Sequence, residues 1–201
     1  MTRSIVGDLA SLPDSAFGAR TLMWWGVLGF ILIEGGGFAL ACGSYLFLMS
    51  HTDPWPPHYA QPPLLVSTLL AAMAVASELP NIWTKRMALR KNERGVQIGL
   101  VVMSLIGVAL VAMRFWEFHV LNVRWDDNAY GSIVWALLFL HTTHLVTDLS
   151  DTIVVAVFTF THEVDDDRFA DIADNAVYWR FVVFAWLPIY ALLYWVPRLV
   201  G

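Results

Sequence analysis

Four polar side chains share one face of a long apolar segment, and their types could support several kinds of chemistry. His141, His144, Asp148 and Asp151 stand at offsets of 0, 3, 7 and 10, which places them on one side of a helix. A His-x-x-His pair with a carboxylate could ligate a metal or relay protons. The alternative is an interhelical polar seam that faces the bundle interior and meets Glu34, and the sequence favours this interpretation.

Metal or haem ligation by this face lacks partners elsewhere in the chain. Tetrahedral zinc needs further ligands, and no second helix offers a matching pair of histidines. A bis-His haem meets the same obstacle, because the other histidines lie in loops or at helix ends. The single cysteine, Cys42, excludes any four-thiolate metal site. No nucleophile elbow, phosphate-binding glycine loop or zincin motif appears either, so we expect no catalytic residue and no metal ligand in this chain.

A carboxylate in the middle of the first apolar segment is the second candidate. Glu34 precedes Gly35, Gly36 and Gly37. A charged side chain in hydrocarbon costs at least ~2.5–3.5 kcal/mol on insertion scales, so it is a functional candidate by default. Glu34 could serve a proton or ion path, or it could pair with another helix, with the glycines allowing close backbone approach. Pairing is the favoured interpretation, and a paired carboxylate can still support proton uptake.

Two arginines complete the set of charged candidates. Arg114 and Glu117 stand three residues apart near the outer end of an apolar segment, which predicts an ion pair at the membrane interface. Arg180 lies one turn inside the last segment, from which its side chain can reach the interface and hold a lipid phosphate.

The elements that position these residues follow from composition. Of the 201 residues, 58% are apolar and 14% are charged, whereas soluble domains carry roughly 25% charged residues. A single soluble core of this length could not bury the excess of apolar side chains. The net charge of −5 lacks the basic footprint that nucleic acid requires. The composition therefore indicates an integral membrane protein and disfavours soluble, disordered and nucleic-acid-binding classes.

Five segments are long and apolar enough to cross a bilayer core about 30 Å thick. They predict an all-α polytopic transmembrane bundle, with residues 1–201 forming one membrane domain. Pro188 should kink the last helix. The predicted spans are 22–48, 63–83, 96–118, 130–161 and 177–196.

The distribution of basic residues predicts the orientation of the bundle. Among the basic residues of the loops and terminal segments, eight fall on one side and two, Arg124 and Arg198, on the other, so the positive-inside rule places the N-terminus in the cytoplasm and the C-terminus in the periplasm. The eight are Arg3, Arg20, Lys85, Arg86, Arg90, Lys91, Arg94 and Arg168.

The order of several short motifs resembles the cytochrome c oxidase subunit III family. The turn Tyr130-Gly131-Ser132 precedes His141-x-x-His144, as a Tyr-Gly-Ser turn precedes His-x-x-His in that family. Glu117 follows an aromatic residue, where the family has the Glu-Tyr that ends its preceding helix. Glu34 stands at the family's Ser-Glu position. The run Tyr178-Trp179-Arg180-Phe181-Val182, with Trp186 beyond, resembles the family's closing Tyr-Trp-His-Phe-Val-Asp and Trp.

The chain also departs from the family pattern. Arg180 replaces the His of the closing motif, and Val183 replaces its Asp. Leu138-Phe139 replaces a Thr-Gly before the histidine pair, and Asp148 replaces a Gly after it. The resemblance spans roughly residues 22–196 and is to the five-helix bacterial form, which lacks two N-terminal helices.

The resemblance implies an accessory role in a proton-translocating haem-copper oxidase of the bacterial inner membrane. Subunit III binds no haem or copper, which belong to its partner subunits. It packs mainly on subunit I, beside subunit II and possible small subunits, holds structural phospholipid and supports proton uptake. Glu34 would then pair with the His141/His144 helix, and Arg180, Trp25 and Trp83 would contact lipid head groups.

Three other functions stay open at this point. Subunit III-like chains also accompany nitric oxide reductases, so the partner could reduce nitric oxide instead of oxygen. An independent transporter or channel could use the same polar face, although five helices without an inverted repeat fit poorly with most secondary transporters. A membrane cytochrome in its own right is the third.

Overall fold

The computed structural model describes residues 22–57 and 61–200. Arg3 and Arg20, which contribute to the predicted orientation, lie outside the described residues. Within them the chain is helical and has no strand, which confirms the all-α class. The elements are α1 (Leu22–Ser50), α2 (Leu64–Ala76), α3 (Glu78–Leu89), α4 (Glu93–His119), α5 (Ala129–Thr161), α6 (Asp166–Tyr190), a π-helical turn (Ala191–Trp195) and α7 (Val196–Val200).

These elements form five helical rods long and apolar enough to cross a membrane, as the sequence predicts. Helices α1, α4 and α5 each make one span. Helices α2 and α3 share a second span that is interrupted at Ser77, and α6, the π-helical turn and α7 share the last.

Polar caps explain why three helices begin where they do. The side chain of Asn92 accepts a hydrogen bond from the Gly95 amide at the start of α4. Asn128 accepts one from the Gly131 amide at the start of α5. Asp165 accepts one from the Arg168 amide at the start of α6. This helix therefore starts eleven residues before the predicted start at position 177. Hydropathy marks only the part of a helix inside hydrocarbon, whereas a cap satisfies amides in the polar region.

Pro188 lies inside the last span, and an irregularity begins three residues after it. Proline has no amide hydrogen, so the carbonyl one turn before it loses its helical partner. The next residues, Ala191–Trp195, adopt the wider π-helical turn before α-helical geometry resumes at Val196. The irregularity observed in this rod is the π-helical turn, and the kink expected at Pro188 stays a prediction.

Close packing between the rods depends on glycines of α4, among them Gly99 and Gly107. A Cβ at Gly99 would overlap the Thr84 side chain of α3, and one at Gly107 would lie 2.6 Å from Leu149 Cδ1 of α5. The absence of a side chain at both positions lets α4 contact its neighbours closely.

Helix α1 is the peripheral rod of the bundle. Only 6% of an 18-residue apolar stretch of α1 is buried, compared with 33–44% of the corresponding stretches in the other four spans. It packs on α5 and α6, and the loop after it folds back. There the indole of Trp55 donates to the Tyr45 hydroxyl at 3.0 Å and meets the Tyr130 ring edge-on at 4.9 Å.

Candidate functional site

An ion pair inside the bundle is the centre of the most extensive polar network. Arg114 and Glu117, one turn apart on α4, are 0% and 1% exposed, and the Arg114 Nη1 atom donates to Glu117 Oε2. The pair predicted from their spacing therefore forms. Its surroundings differ from the expected interface, because neighbouring helices enclose both side chains.

Glu117 is held by two hydroxyl groups as well as by the arginine. Ser67 of α2 and Tyr194 of the π-helical turn both donate to Glu117 Oε1, the tyrosine at 2.5 Å. A carboxylate away from water needs such donors, since an unpaired buried charge costs several kcal/mol.

His141 of α5 contacts the second terminal nitrogen of the Arg114 guanidinium. Arg114 Nη2 lies 3.0 Å from His141 Nδ1, and His141 Nε2 lies 3.1 Å from the Val182 carbonyl oxygen. Arginine can only donate and a carbonyl can only accept, so Nδ1 carries the lone pair and Nε2 carries the hydrogen. His141 is therefore neutral in this arrangement, and neither ring nitrogen is free to ligate a metal or haem.

The indole ring of Trp186, on α6, packs against both Arg114 and His141. The Arg114 guanidinium carbon lies 3.9 Å from the centroid of this indole, and the His141 ring lies 4.9 Å from it. Cation–π attraction of this kind is worth about 2 kcal/mol when the cation is desolvated. We call this set the Arg114 network; it comprises Ser67, Arg114, Glu117, His141, Trp186 and Tyr194.

The Arg114 network joins four of the five spans, and only α1 does not contribute. Its arginine and glutamate charges cancel, and its histidine is neutral. All six of its residues are buried. Such an arrangement stabilises and orients helices but presents no open coordination position and no activated nucleophile.

A second network attaches α1 to the rest of the bundle. Glu34 Oε1 lies 3.4 Å from His144 Nε2 of α5, and Glu34 Oε2 accepts a 2.6 Å hydrogen bond from the Tyr178 hydroxyl of α6. His144 Nδ1 lies 2.6 Å from the Leu140 carbonyl oxygen, so Nδ1 carries a hydrogen. An attractive contact between His144 Nε2 and Glu34 then requires one more proton on one of these two groups.

The predicted polar seam of Glu34, His141, His144 and Asp148 is therefore divided among separate partners. Glu34 pairs with His144, but His141 belongs to the Arg114 network. Asp148 is 1% exposed, and within the described chain neither of its carboxylate oxygens has a hydrogen-bond partner. Asp151, one turn further along α5, is exposed.

The glycines after Glu34 do not serve the close backbone approach expected from the sequence. A Cβ at Gly35 would lie 3.6 Å from the Phe181 ring, an ordinary contact, and none at Gly36 or Gly37 would meet any atom within 4 Å. The tight helix contacts lie instead at Gly99 and Gly107 of α4.

The three predicted lipid-contact residues all lie at least partly on the outer surface. Trp25 and Trp83 are exposed by 42% and 40%. Arg180 is partly exposed, but its Nε donates to Glu78 Oε2 at 2.9 Å. A lipid phosphate at Arg180 would therefore bind a guanidinium that is already paired with the Glu78 carboxylate.

The sequence alone does not predict which partners several residues of these networks contact. Tyr178 and Trp186 belong to the closing family-like motif, but their partners depend on the packing of α6. Tyr194 is typical of an interfacial aromatic belt, and Ser67 is a single hydroxyl in an apolar helix. Among the described residues, no group of three or more histidine, cysteine and acidic side chains could hold a metal ion.

Comparison with known proteins agrees with the family resemblance found in the sequence. The family model of cytochrome c oxidase subunit III matches residues 48–197. Subunit 3 of Rhipicephalus sanguineus is 26% identical over 184 residues, covering 85% of this chain and 69% of that protein. Subunit 3 of Thermostichus vulcanus, a bacterium, is 21% identical over 177 residues, covering 86% and 87%.

Some relatives are considerably longer than this chain. Subunit 3 of Loxodonta africana is 23% identical over 143 residues, which cover 70% of this chain and 55% of that protein. This chain thus spans about half the length of that relative and most of the bacterial one. Three quarters of its residues fall within the family model. The chain belongs to the cytochrome c oxidase subunit III family.

Proposed function

We propose that this chain is the accessory subunit III of a proton-translocating haem-copper terminal oxidase in aerobic respiration. The observation that supports this most strongly is the family match over residues 48–197, which contains the second, third and fourth spans and all but the last two residues of the fifth. In this role the chain carries no redox centre, and haem and copper reside in partner subunits. It lies in the bacterial inner membrane with its N-terminus in the cytoplasm.

Its physical contribution would be a rigid helical surface against subunit I. The Arg114 network holds four spans together, and the Glu34–His144–Tyr178 contacts attach α1 to them. Because the Arg114–Glu117 ion pair is buried inside the bundle, the outer faces can remain apolar. Exposed side chains such as Leu40 and Phe139 would then contact subunit I, subunit II, any small subunits, or lipid.

The same proposal gives Glu34, His144 and Asp148 a supporting role in proton uptake. The Glu34 and His144 side chains, 3.4 Å apart, would share an exchangeable proton, and Asp148 would supply a further carboxyl on the same face of α5. Arg180, Trp25 and Trp83 would contact phospholipid head groups, with Arg180 shared between Glu78 and the phosphate.

Isolation of the tagged chain from its native membrane in a mild detergent tests the proposal. We expect a large haem-bearing subunit to co-purify and the complex to consume oxygen. Nitric oxide consumption without oxygen consumption would assign the chain to a nitric oxide reductase instead. A haem-free homo-oligomer would overturn the accessory role and favour a transporter or channel. A haem spectrum from the single chain would indicate a cytochrome.

A further inference from the structure

A cavity of about 520 Å³ opens between α1, α5 and α6, in the half of the bundle that contains the N-terminus of α1. Its walls are mainly apolar, and Met23 and Phe30 at its edge are more than half exposed. The volume falls within the ~300–1,000 Å³ typical of small-molecule sites. The Arg114 network does not line this cavity.

The charged groups that line the cavity are all acidic, and its other polar residues are Thr147, Asn175 and Tyr178. Asp148, Asp151 and Asp171 contribute carboxylates to its wall, and no lysine, arginine or histidine among the described residues lines it. We refer to it as the acidic cavity. Asp148 is the buried member of the three, and neither of its oxygens has a hydrogen-bond partner within the described chain.

An unpaired buried carboxylate is costly unless a proton or a cation neutralises it. Asp151 and Glu34 also lie close enough to Asp148 to repel its negative charge. A phosphate or carboxylate ligand would add to that repulsion. A cation would reduce it, and in a region of low dielectric the attraction is strong.

The apolar part of the wall indicates what such a cation carries. The rings of Phe30 and Tyr178, with centroids 6.0 Å apart, line the cavity beside Val27 and Val155. Aromatic faces attract ammonium groups, and aliphatic side chains favour a hydrocarbon body. A small hydrated metal ion would leave that apolar surface unused.

We propose that the acidic cavity binds the ammonium head of an amphiphile, with Asp148 and Asp151 facing the positive charge and the hydrocarbon body against α1. The ammonium could belong to an aminophospholipid or to a free long-chain amine, which share this chemistry. The site differs from the phosphate contact proposed at Arg180 in both charge and location, and it does not depend on the oxidase role.

The test uses the full chain, folded and depleted of lipid in a non-ionic detergent. Binding of dodecylammonium is compared with that of dodecanol and dodecanoate, which have the same chain length with neutral and anionic heads. We expect saturable binding of the ammonium compound at least tenfold tighter than that of either control. Equal binding of dodecanol, or no saturable binding of dodecylammonium, would overturn the proposal.

Three charge-removing variants locate the site. Asp148→Asn and Asp151→Asn should each weaken dodecylammonium binding at least tenfold, whereas Glu163→Gln, at an exposed carboxylate outside the cavity, should leave it unchanged. Asp151 is exposed, so its variant stays informative even if Asp148→Asn fails to fold. Unchanged binding in Asp151→Asn, or in a folded Asp148→Asn, would refute the assignment.

Mass spectrometry of lipids co-purified before depletion separates the two sources. Aminophospholipid retained by the wild-type chain and lost from Asp151→Asn would identify the lipid head group as the ligand. Dodecylammonium binding by a chain that retains no aminophospholipid would identify a free amine. Both outcomes support a cation site, whereas retention of an anionic lipid that is lost from Asp151→Asn would contradict it.

Discussion

Replacing Arg114 by a neutral residue is the sharpest test of the Arg114 network. Arg114→Met keeps a long apolar stem but leaves the Glu117 carboxylate uncompensated in the bundle interior. Breaking a buried pair in this way costs about 3–5 kcal/mol. The lost donor to His141 Nδ1 and the lost stack on Trp186 act in the same direction. We therefore expect the free energy of unfolding to fall by at least about 3 kcal/mol.

A double-mutant cycle shows whether the cost arises from the uncompensated charge. Glu117→Gln alone leaves a buried arginine without its carboxylate and should be similarly harmful. The double variant Arg114→Met/Glu117→Gln carries no buried charge, and replacing a buried pair by neutral groups is often close to neutral. We expect its cost to be lower than the sum of the two single costs by more than about 2 kcal/mol.

The measurement is unfolding of the purified chain by sodium dodecyl sulfate in mixed micelles, followed by circular dichroism. Arg124→Met is the matched control, because the Arg124–Asp126 pair has side chains 72% and 41% exposed, and we expect no measurable change. A loss below about 1 kcal/mol for Arg114→Met, or strictly additive costs in the double variant, would refute the reasoning.

The other predictions concern assembly, packing and lipid. Glu34→Ala should leave the haem content of the purified complex unchanged. It should lower the amount of this subunit per complex and shorten the time for which oxidase activity lasts during turnover. Loss of haem would contradict this prediction. Gly99→Val should destabilise the chain by about 1–3 kcal/mol through overlap with Thr84, whereas Gly36→Val, which meets no atom, should not. Arg180→Gln should reduce co-purified anionic phospholipid, measured by mass spectrometry; unchanged retention would remove Arg180 from the lipid site.

The number of spans was predictable because it depends on local composition. Each apolar stretch must be about 20 residues long to cross hydrocarbon, and its length can be counted along the chain. The start of the last helix was not predictable from hydropathy, because residues 166–176 carry several charges. Its actual start depends on the Asp165 cap, a local signal of a different kind.

The polar residues were only partly predictable. Helical spacing correctly groups Arg114 with Glu117, since residues three apart are always neighbours on a helix. It cannot show that Ser67 and Tyr194, 50 and 77 residues away from Glu117, complete the coordination of its carboxylate. Those contacts depend on how separate helices pack.

The sequence by itself determined an all-helical chain with five apolar spans, and it placed two histidines and two aspartates on one face of α5. Only the tertiary structure decided their partners. His141 and His144 are one turn apart, yet one contacts Arg114 on α4 and the other contacts Glu34 on α1. The physical reason is that periodicity specifies the side of a helix on which a residue lies, whereas the neighbour at each height depends on how the other rods pack against it.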